Sequence, residues 1–256
     1  MKYLEIKKSG ARINVSLNRP EVRNAFNDEL IAELKNFFMG LDKEVKVVVL
    51  SGNGKTFCAG ADLNWMRSTI EYTQAENVAD SRELASLFAT IRHWPGIVIA
   101  RVHGAALGGG LGLVAASDIA VACQECKFGL TEVRLGLIPA VISPFVIEKI
   151  GASQARRYFT TAEIFLADRA RDMGLVHECV SFDELDDVIE VLCARILENG
   201  PEAIAHAKRL VFEVTKRKEL SDALEYAAGA IAERRVSSEG QEGLTAFLEK
   251  RKPQWK

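Results

Sequence analysis

No apolar run in this chain reaches the roughly 20 residues a membrane-spanning helix needs. The N-terminus, Met1 to Lys8, reads as a strand and not as a leader segment. An excess of one charge is also missing. Lys and Arg number 33 against 35 Asp and Glu, a net charge of -2, which leaves no electrostatic footprint for nucleic acid and no basic stripe for a membrane surface. Cysteines number five, Cys58, Cys123, Cys126, Cys179 and Cys193, scattered and odd in count. That pattern excludes a disulfide framework and fits reduced thiols in a cytoplasmic protein. Cys123 and Cys126 form a C-x-x-C, but no second pair and no histidine pair accompanies them, so neither a zinc site nor any other metal is expected.

What the chain does have is a core. Of its 256 residues 48% are hydrophobic, ample for one packed domain with an appendage. Strand-length apolar runs fall at 3–6, 13–17, 45–50, 97–102, 119–122 and 175–180, with segments of helical period between them, notably 28–41 and 79–91. Strands alternating with helices predict an α/β domain. From about Asp183 onward the pattern is almost wholly helical, over 183–198, 201–215, 220–232 and 239–250, with a break at Asn199-Gly-Pro201 where proline is placed to open the next helix. The expected division is therefore a core over 1–182 and a helical region over 183–256.

Two small-residue loops follow strand-like runs. One is Phe57-Cys-Ala-Gly-Ala-Asp62; the other is His103-Gly-Ala-Ala-Leu-Gly-Gly-Gly110. Residues without bulk let a ligand approach bare backbone N–H groups. Gly108 to Gly110 also run into an apolar stretch, 111–116, that reads as a helix. A glycine turn opening a helix aims unpaired N–H groups and the positive end of the dipole at whatever sits there. Two such loops converging would make a two-donor hole for a carbonyl oxygen that gains negative charge.

These segments together resemble the crotonase family, the enoyl-CoA hydratases and isomerases. The resemblance runs from Asn18-Arg-Pro-Glu-Val-Arg-Asn-Ala-Phe26 through Ala59-Gly-Ala-Asp-Leu63 and Gly108-Gly-Gly110. It continues in Phe128-Gly-Leu-Thr-Glu132 and ends in Glu242-Gly-Leu-Thr-Ala-Phe-Leu-Glu-Lys-Arg251. It implies a spiral of repeated ββα units with a C-terminal helical region that packs trimers, as a homotrimer or a dimer of trimers. It implies an acyl-CoA thioester as substrate, with coenzyme A part of that substrate and no separate cofactor. The oxyanion donors would be the N–H groups of Ala61 (or its neighbour Gly60) and Gly109.

Hydratases of the family carry two glutamates, and here the chain departs from them. Glu132 falls on the second position; Gly112 stands where the first would be. A glutamate buried beside a thioester pocket has its pKa raised by desolvation, which suits a proton shuttle. The resemblance also places an aspartate of the dienoyl-CoA isomerases and aryl-CoA dehalogenases at the position of Ala140, so a nucleophilic aspartate has no residue here. Two single-glutamate chemistries remain: a Δ3,Δ2-enoyl-CoA isomerase, which needs only one base, and a hydratase in which one carboxylate orients water and returns a proton. Three segments resemble bacterial methylglutaconyl-CoA hydratases of leucine breakdown: Gly60 to Met66, Glu132 to Phe145 and Val236 to Gly243. That subgroup tolerates a non-acidic residue at the Gly112 position; in this chain a water held by the neighbours of Gly112 is expected in place of the carboxylate. A third alternative is a CoA-ester binding protein that has lost its chemistry.

A glutaconyl acyl group carries a distal carboxylate, for which Arg67 and Arg134 are the candidate cations. Trp65, Met66, Leu107, Gly112, Leu137 and Phe145 are expected to line the acyl pocket, although core packing would explain the apolar ones equally. For the CoA moiety the resemblance assigns the adenine pocket to Ala59, Gly60, Ala61, Asp62 and Leu63. Arg23 and Lys250, the latter from another subunit, would face the phosphates. Asp62 is also placed to cap a following helix. Where relatives often have a phenylalanine at the adenine, this chain has Ile231. His93 reads as a surface or capping residue and His103 as packed or backbone-bonded, with no serine or cysteine nucleophile arranged beside either.

Overall fold

The computed structural model describes residues 1–255, which divide into two compact units, one running from Met1 to Leu192 and one from Cys193 onward. The division falls within a helix, Leu185–Leu197, whereas the sequence pattern placed it ahead of that helix.

The first unit is an α/β spiral around a six-stranded sheet. In chain order its strands are β1 (Leu4–Ser9), β2 (Arg12–Leu17), β3 (Val47–Gly52), β4 (Ile97–Val102), β6 (Ile119–Cys123) and β9 (Glu178–Val180), and they lie side by side in that order. Only β1 and β2 are antiparallel, joined at a tight turn in which Gly10 holds φ +59°. The remaining pairs are parallel. β3 is buried at five of its six positions, as expected of a parallel strand covered on both faces. The 175–180 run is strand only over its last three residues. The Leu175 N–H turns back to the Ala170 carbonyl, which packs Leu175 and Val176 without strand pairing.

Helix α1 (Asp28–Met39) is capped by Asn27, whose side chain accepts from the Leu30 N–H, and buries Leu30, Ile31, Leu34, Phe37 and Phe38. Helix α2 (Leu63–Ser68) was not apparent from periodicity. Helix α3 (Gln74–His93) starts earlier than expected because Thr73 and Glu76 close a capping box; it buries only Leu87, Phe88 and Ile91, all near its end. Helix α4 (Gly109–Ala116) buries every residue after its first, as a helix apolar on all sides must.

A second, three-stranded sheet positions the glycine loops. Its strands are β5 (Ala105–Leu107), β7 (Lys127–Gly129) and β8 (Ile164–Leu166), in that order. β5 and β7 run parallel, Leu107 opposite Gly129, so the segments that follow both strands leave the same end of the sheet. On its other side β5 meets Cys58: the Cys58 N–H donates to the Ala105 carbonyl and the Leu107 N–H to the Cys58 carbonyl, at 3.1 and 3.0 Å. Residues 58–61, 107–109 and 129–132 are thereby laid alongside one another. Helix α5 (Ser143–Thr161) and α6 (Ala167–Asp172) complete the unit, together with the first part of α7 (Leu185–Leu197).

The second unit is helical, with α8 (Pro201–Thr215), α9 (Leu220–Val236) and α10 (Ser238–Leu248). Proline sits at the first position of α8, as the Asn199-Gly-Pro201 break predicts. The Glu239 carboxylate accepts the Glu202 and Ala203 N–H groups at 2.9 and 2.7 Å, placing negative charge at the N-terminus of α8. No residue of α9 is buried. Among the described residues no helix is long and apolar enough to cross a membrane.

Candidate active site

The site begins with two glycines brought into contact. A Cβ on Gly60 would stand 2.9 Å from the Leu107 carbonyl oxygen and 3.9 Å from Gly108 Cα. Side chains at these positions would push the loops apart, and both residues hold positive φ, +94° and +48°. Gly110 is closer still: its Cβ would lie 2.4 Å from the Cys58 carbonyl. Of the three glycines, Gly108 and Gly110 thus hold the loops together while Gly109 opens α4.

Backbone pairing decides which N–H groups remain. Phe26 donates to the Gly60 carbonyl at 2.7 Å and accepts from the Asp62 N–H at 2.8 Å, a parallel bridge that passes over Ala61. The N–H of Ala61 donates to no carbonyl among the described residues, and Ala61 is exposed. In the other loop the Gly108 N–H is spent on the Gly129 carbonyl at 2.9 Å, while Gly109, first residue of α4, has no intrahelical acceptor for its own.

Glu132 opens a short 3-10 turn two residues beyond Leu130, on the segment that leaves β7. Its Oε1 lies 3.2 Å from where a Gly108 Cβ would be. Its Oε2 is buried without a hydrogen-bond partner. Burial pushes the carboxyl above its ordinary range, because an ion with no partner is disfavoured in apolar surroundings. A half-buried carboxyl of raised pKa, beside two loops that each leave an N–H unspent, can hold and release a proton next to a polarised carbonyl.

The remaining expected residues separate into those near this centre and those with other tasks. Gly112 is buried, and a Cβ there would meet Ile142 Cγ2 at 2.4 Å and Phe88 Cζ at 3.0 Å. The position at which relatives carry a carboxylate is thus bordered by apolar side chains in this chain. Phe145 packs against Phe88 with ring centroids 5.9 Å apart. Leu107 approaches Gly129 in the small sheet. Asp62 is the cap that its place before α2 suggested. It is 5% exposed; one carboxylate oxygen caps α2 through the Asn64 N–H at 2.8 Å and the other pairs with Arg19 Nη2 at 2.9 Å. Arg134, exposed on its turn, donates from Nη2 to the Ala162 carbonyl at 2.7 Å, at the left-handed end of α5.

Arg67 and Leu63 are exposed on α2, and Leu137 is exposed beyond Glu132. Trp65 lines a polar recess of about 280 Å³ with Arg19, Asn27, Asp28, Asn64 and Tyr72; Met66 is half-buried on the same helix. Arg23 is exposed, and its carbonyl accepts the Ala59 N–H at 3.0 Å, so these two expected CoA residues are neighbours. Lys250 is exposed in the helical unit just past α10.

His103 gives Nε2 to the Gly54 carbonyl at 3.0 Å and is pushed down by burial; His93 bonds the Ala89 carbonyl through Nδ1 at 2.8 Å. Both are structural. Burial pushes the Cys58 thiol up to about 12, which removes it as a nucleophile. No group of three or more metal-ligating side chains occurs among the described residues. Arg19, Ile142 and Phe88 were not among the residues expected at the site. Only Arg19 carried a signal, as an arginine inside a matched motif.

A spiral α/β unit carrying a carboxyl of raised pKa beside two backbone-donor loops is an arrangement suited to enolate chemistry. The chain belongs to the enoyl-CoA hydratase/isomerase family, whose pattern it matches over residues 7–256. It is 33% identical over 251 residues to the 2,3-dehydroadipyl-CoA hydratase of Escherichia coli, covering 94% of each chain. It is 32% identical over 244 residues to the crotonyl-CoA hydratase of Syntrophomonas wolfei, covering 92% of this chain and 91% of that one. An enoyl-CoA hydratase crystal structure from Shewanella pealeana superposes with a TM-score of 0.94 at 41% identity, over 99% of this chain and 96% of that one.

Proposed function

We propose that the chain adds water across the double bond of a 2-enoyl-CoA thioester, with 3-methylglutaconyl-CoA of leucine breakdown as the substrate. The observation that carries this reading is the unpartnered, desolvated carboxyl of Glu132 beside the unspent N–H groups of Ala61 and Gly109. Glu132, ionised, takes a proton from water while the water oxygen bonds C3, and the electron pair of the double bond passes to the thioester oxygen. The two N–H groups hold the resulting enolate; losing one such donor costs on the order of 100-fold or more in rate. Glu132 then returns its proton to C2 on the same face, and the enzyme is regenerated. Coenzyme A arrives on the substrate, so no separate cofactor takes part. Ala59, Gly60, Leu63 and Arg23 receive its adenine and phosphate end with Lys250 of another subunit, in a cytoplasmic homotrimer or dimer of trimers. Arg67 and Arg134 are the candidate cations for the distal carboxylate, Arg134 giving one of its donors to Ala162.

One observation favours a second reading. Ile142 and Phe88 close the place of a second carboxylate, and a Δ3,Δ2-enoyl-CoA isomerase needs only the one base. Following absorbance of the conjugated enoyl group with 3-methylglutaconyl-CoA, crotonyl-CoA and a 3-enoyl-CoA separates the two. Loss of conjugation, fastest with the glutaconyl ester, is the expected result. Appearance of conjugation from the 3-enoyl ester alone would make the protein an isomerase. Glu132→Gln should lower turnover by roughly 100-fold or more while CoA esters still bind. A Glu132→Gln variant with normal turnover would remove the residue from the chemistry and leave the CoA-binding reading.

A further inference from the structure

The Ala61 N–H can serve as a donor only if its loop is held still; β5 holds that loop at Cys58, and past Cys58 the hold comes from segment 23–26. Segment 23–26 takes three consecutive bonds from or to segment 59–62: Ala59 N–H to the Arg23 carbonyl, Phe26 N–H to the Gly60 carbonyl, and Asp62 N–H to the Phe26 carbonyl. Arg19 fastens both segments at once. Its Nη1 donates to the Ala25 carbonyl at 2.5 Å and its Nη2 to Asp62 Oδ2 at 2.9 Å. Both side chains of the ion pair are at least nine-tenths buried, and the guanidinium lies 4.9 Å from the centre of the Tyr3 ring. A further anchor comes from Asn24, fully buried at φ +56°, whose Nδ2 bonds the Asn53 and Thr56 carbonyls at 2.9 and 2.7 Å. Asp62 also caps α2, so the residue after the donor is fixed to a helix on one side and to a buried cation on the other. Burial alone would raise the Asp62 carboxyl, but the Asn64 N–H and the Arg19 guanidinium outweigh it and hold the group ionised at neutral pH.

We propose that the buried Arg19–Asp62 pair is the positioning pair for the Ala61 donor, fixing the direction of that N–H toward the thioester oxygen without touching substrate. The inference rests on the hydratase reading. A bidentate guanidinium bridging a carbonyl and a carboxylate sets orientation as well as position, which a lysine at the same place cannot do. If the pair only stabilised the fold, removing it without leaving a buried charge would alter melting and leave catalysis at saturation alone.

The test uses the full-length protein and the double variant Arg19→Met/Asp62→Asn, in which asparagine keeps the α2 cap and no charge is stranded. The first readout is kcat and KM for crotonyl-CoA. The second is the red shift of a 3-aryl-2-enoyl-CoA on binding, which reports polarisation of its carbonyl by the donors. The expected result is a loss of kcat of about 10- to 100-fold, short of the roughly 100-fold or more that outright loss of an oxyanion donor costs, with KM changed less than about threefold and the red shift reduced. Arg19→Lys should fall between the two proteins in both readouts. A variant whose kcat and red shift match the wild type would overturn the proposal, as would one that loses kcat but keeps the full shift. Should the double variant fail to fold, Asp62→Asn alone reads out the same two quantities. A wild type that neither turns over an enoyl-CoA nor shifts the chromophore would instead overturn the hydratase reading itself.

Discussion

An ionised Glu132 is an unfavourable group for this fold to hold. Burial raises its carboxyl above the usual range, and one oxygen has no partner. A carboxyl whose folded pKa is raised contributes most to stability where it is protonated in both states, below the unfolded value of about 4.3, and loses that contribution as pH rises through the folded pKa. Glu132→Gln, which cannot ionise, should therefore melt above the wild type at pH 8, and the gap should close as the pH is brought to about 4. Melting curves of the two proteins across that span check the sign; a variant equally or less stable at pH 8 would contradict a desolvated carboxylate. The same shift sets the reaction's acid limb. Glu132 must be ionised to accept a proton from water, so kcat/KM should rise with pH through a midpoint above the ordinary glutamate value.

At the scale of elements, the site depends on three short segments laid side by side, 58–61, 107–109 and 129–132, with β5 between the other two. The glycine loops were legible from their residue types, and Glu132 from the family resemblance that sets it in register with them. The long apolar strands were legible because both faces of a parallel sheet are buried. The three-residue strands β5, β7 and β8 are too short to show a period, and nothing local marks α2 or the start of α3 except their caps. Asp62 was legible as a cap, whereas the bonds to Arg19 and from Arg134 to Ala162 were not, because a charged side chain looks the same in sequence whether it meets a ligand or a partner far along the chain. Gly112 shows this limit most clearly. It reads as a missing carboxylate, yet its lack of a side chain makes room for Ile142 and Phe88. Gly112→Ala should destabilise the protein by about 1–3 kcal/mol through overpacking, and Ile142→Ala in the same chain should recover part of that. Chemical denaturation of the two variants measures it. A Gly112→Ala protein as stable as wild type would mean the pocket at this position is open after all.

At the scale of the whole molecule, the helical unit carries apolar surface that its own helices leave uncovered. All of α9 is unburied, and Leu220, Leu224 and Val236 on it, with Phe247 and Leu248 of α10, are more than half exposed. A single chain of 28.2 kDa with that much apolar surface in water is expected to associate, and the proposed trimer gives the surface a second copy to cover it. Light scattering coupled to size exclusion should then return three or six chain masses, and Leu224→Glu/Val236→Glu should shift the mass toward one chain. Assembly also bears on the substrate, because Lys250 is assigned to the phosphates of a CoA bound by a neighbouring subunit. If so, Lys250→Ala should raise KM for a CoA ester by about two- to tenfold at low ionic strength. The effect should shrink as salt screens an exposed charge, and the corresponding pantetheine thioester, which lacks the nucleotide phosphates, should be handled alike by both proteins. The dissociated variant should show the same selective loss, since it too withdraws the cation from the phosphates while leaving Glu132 and the glycine loops in place. Equal loss on both thioesters would mean that the helical unit supports the catalytic centre itself and not the CoA end of the substrate.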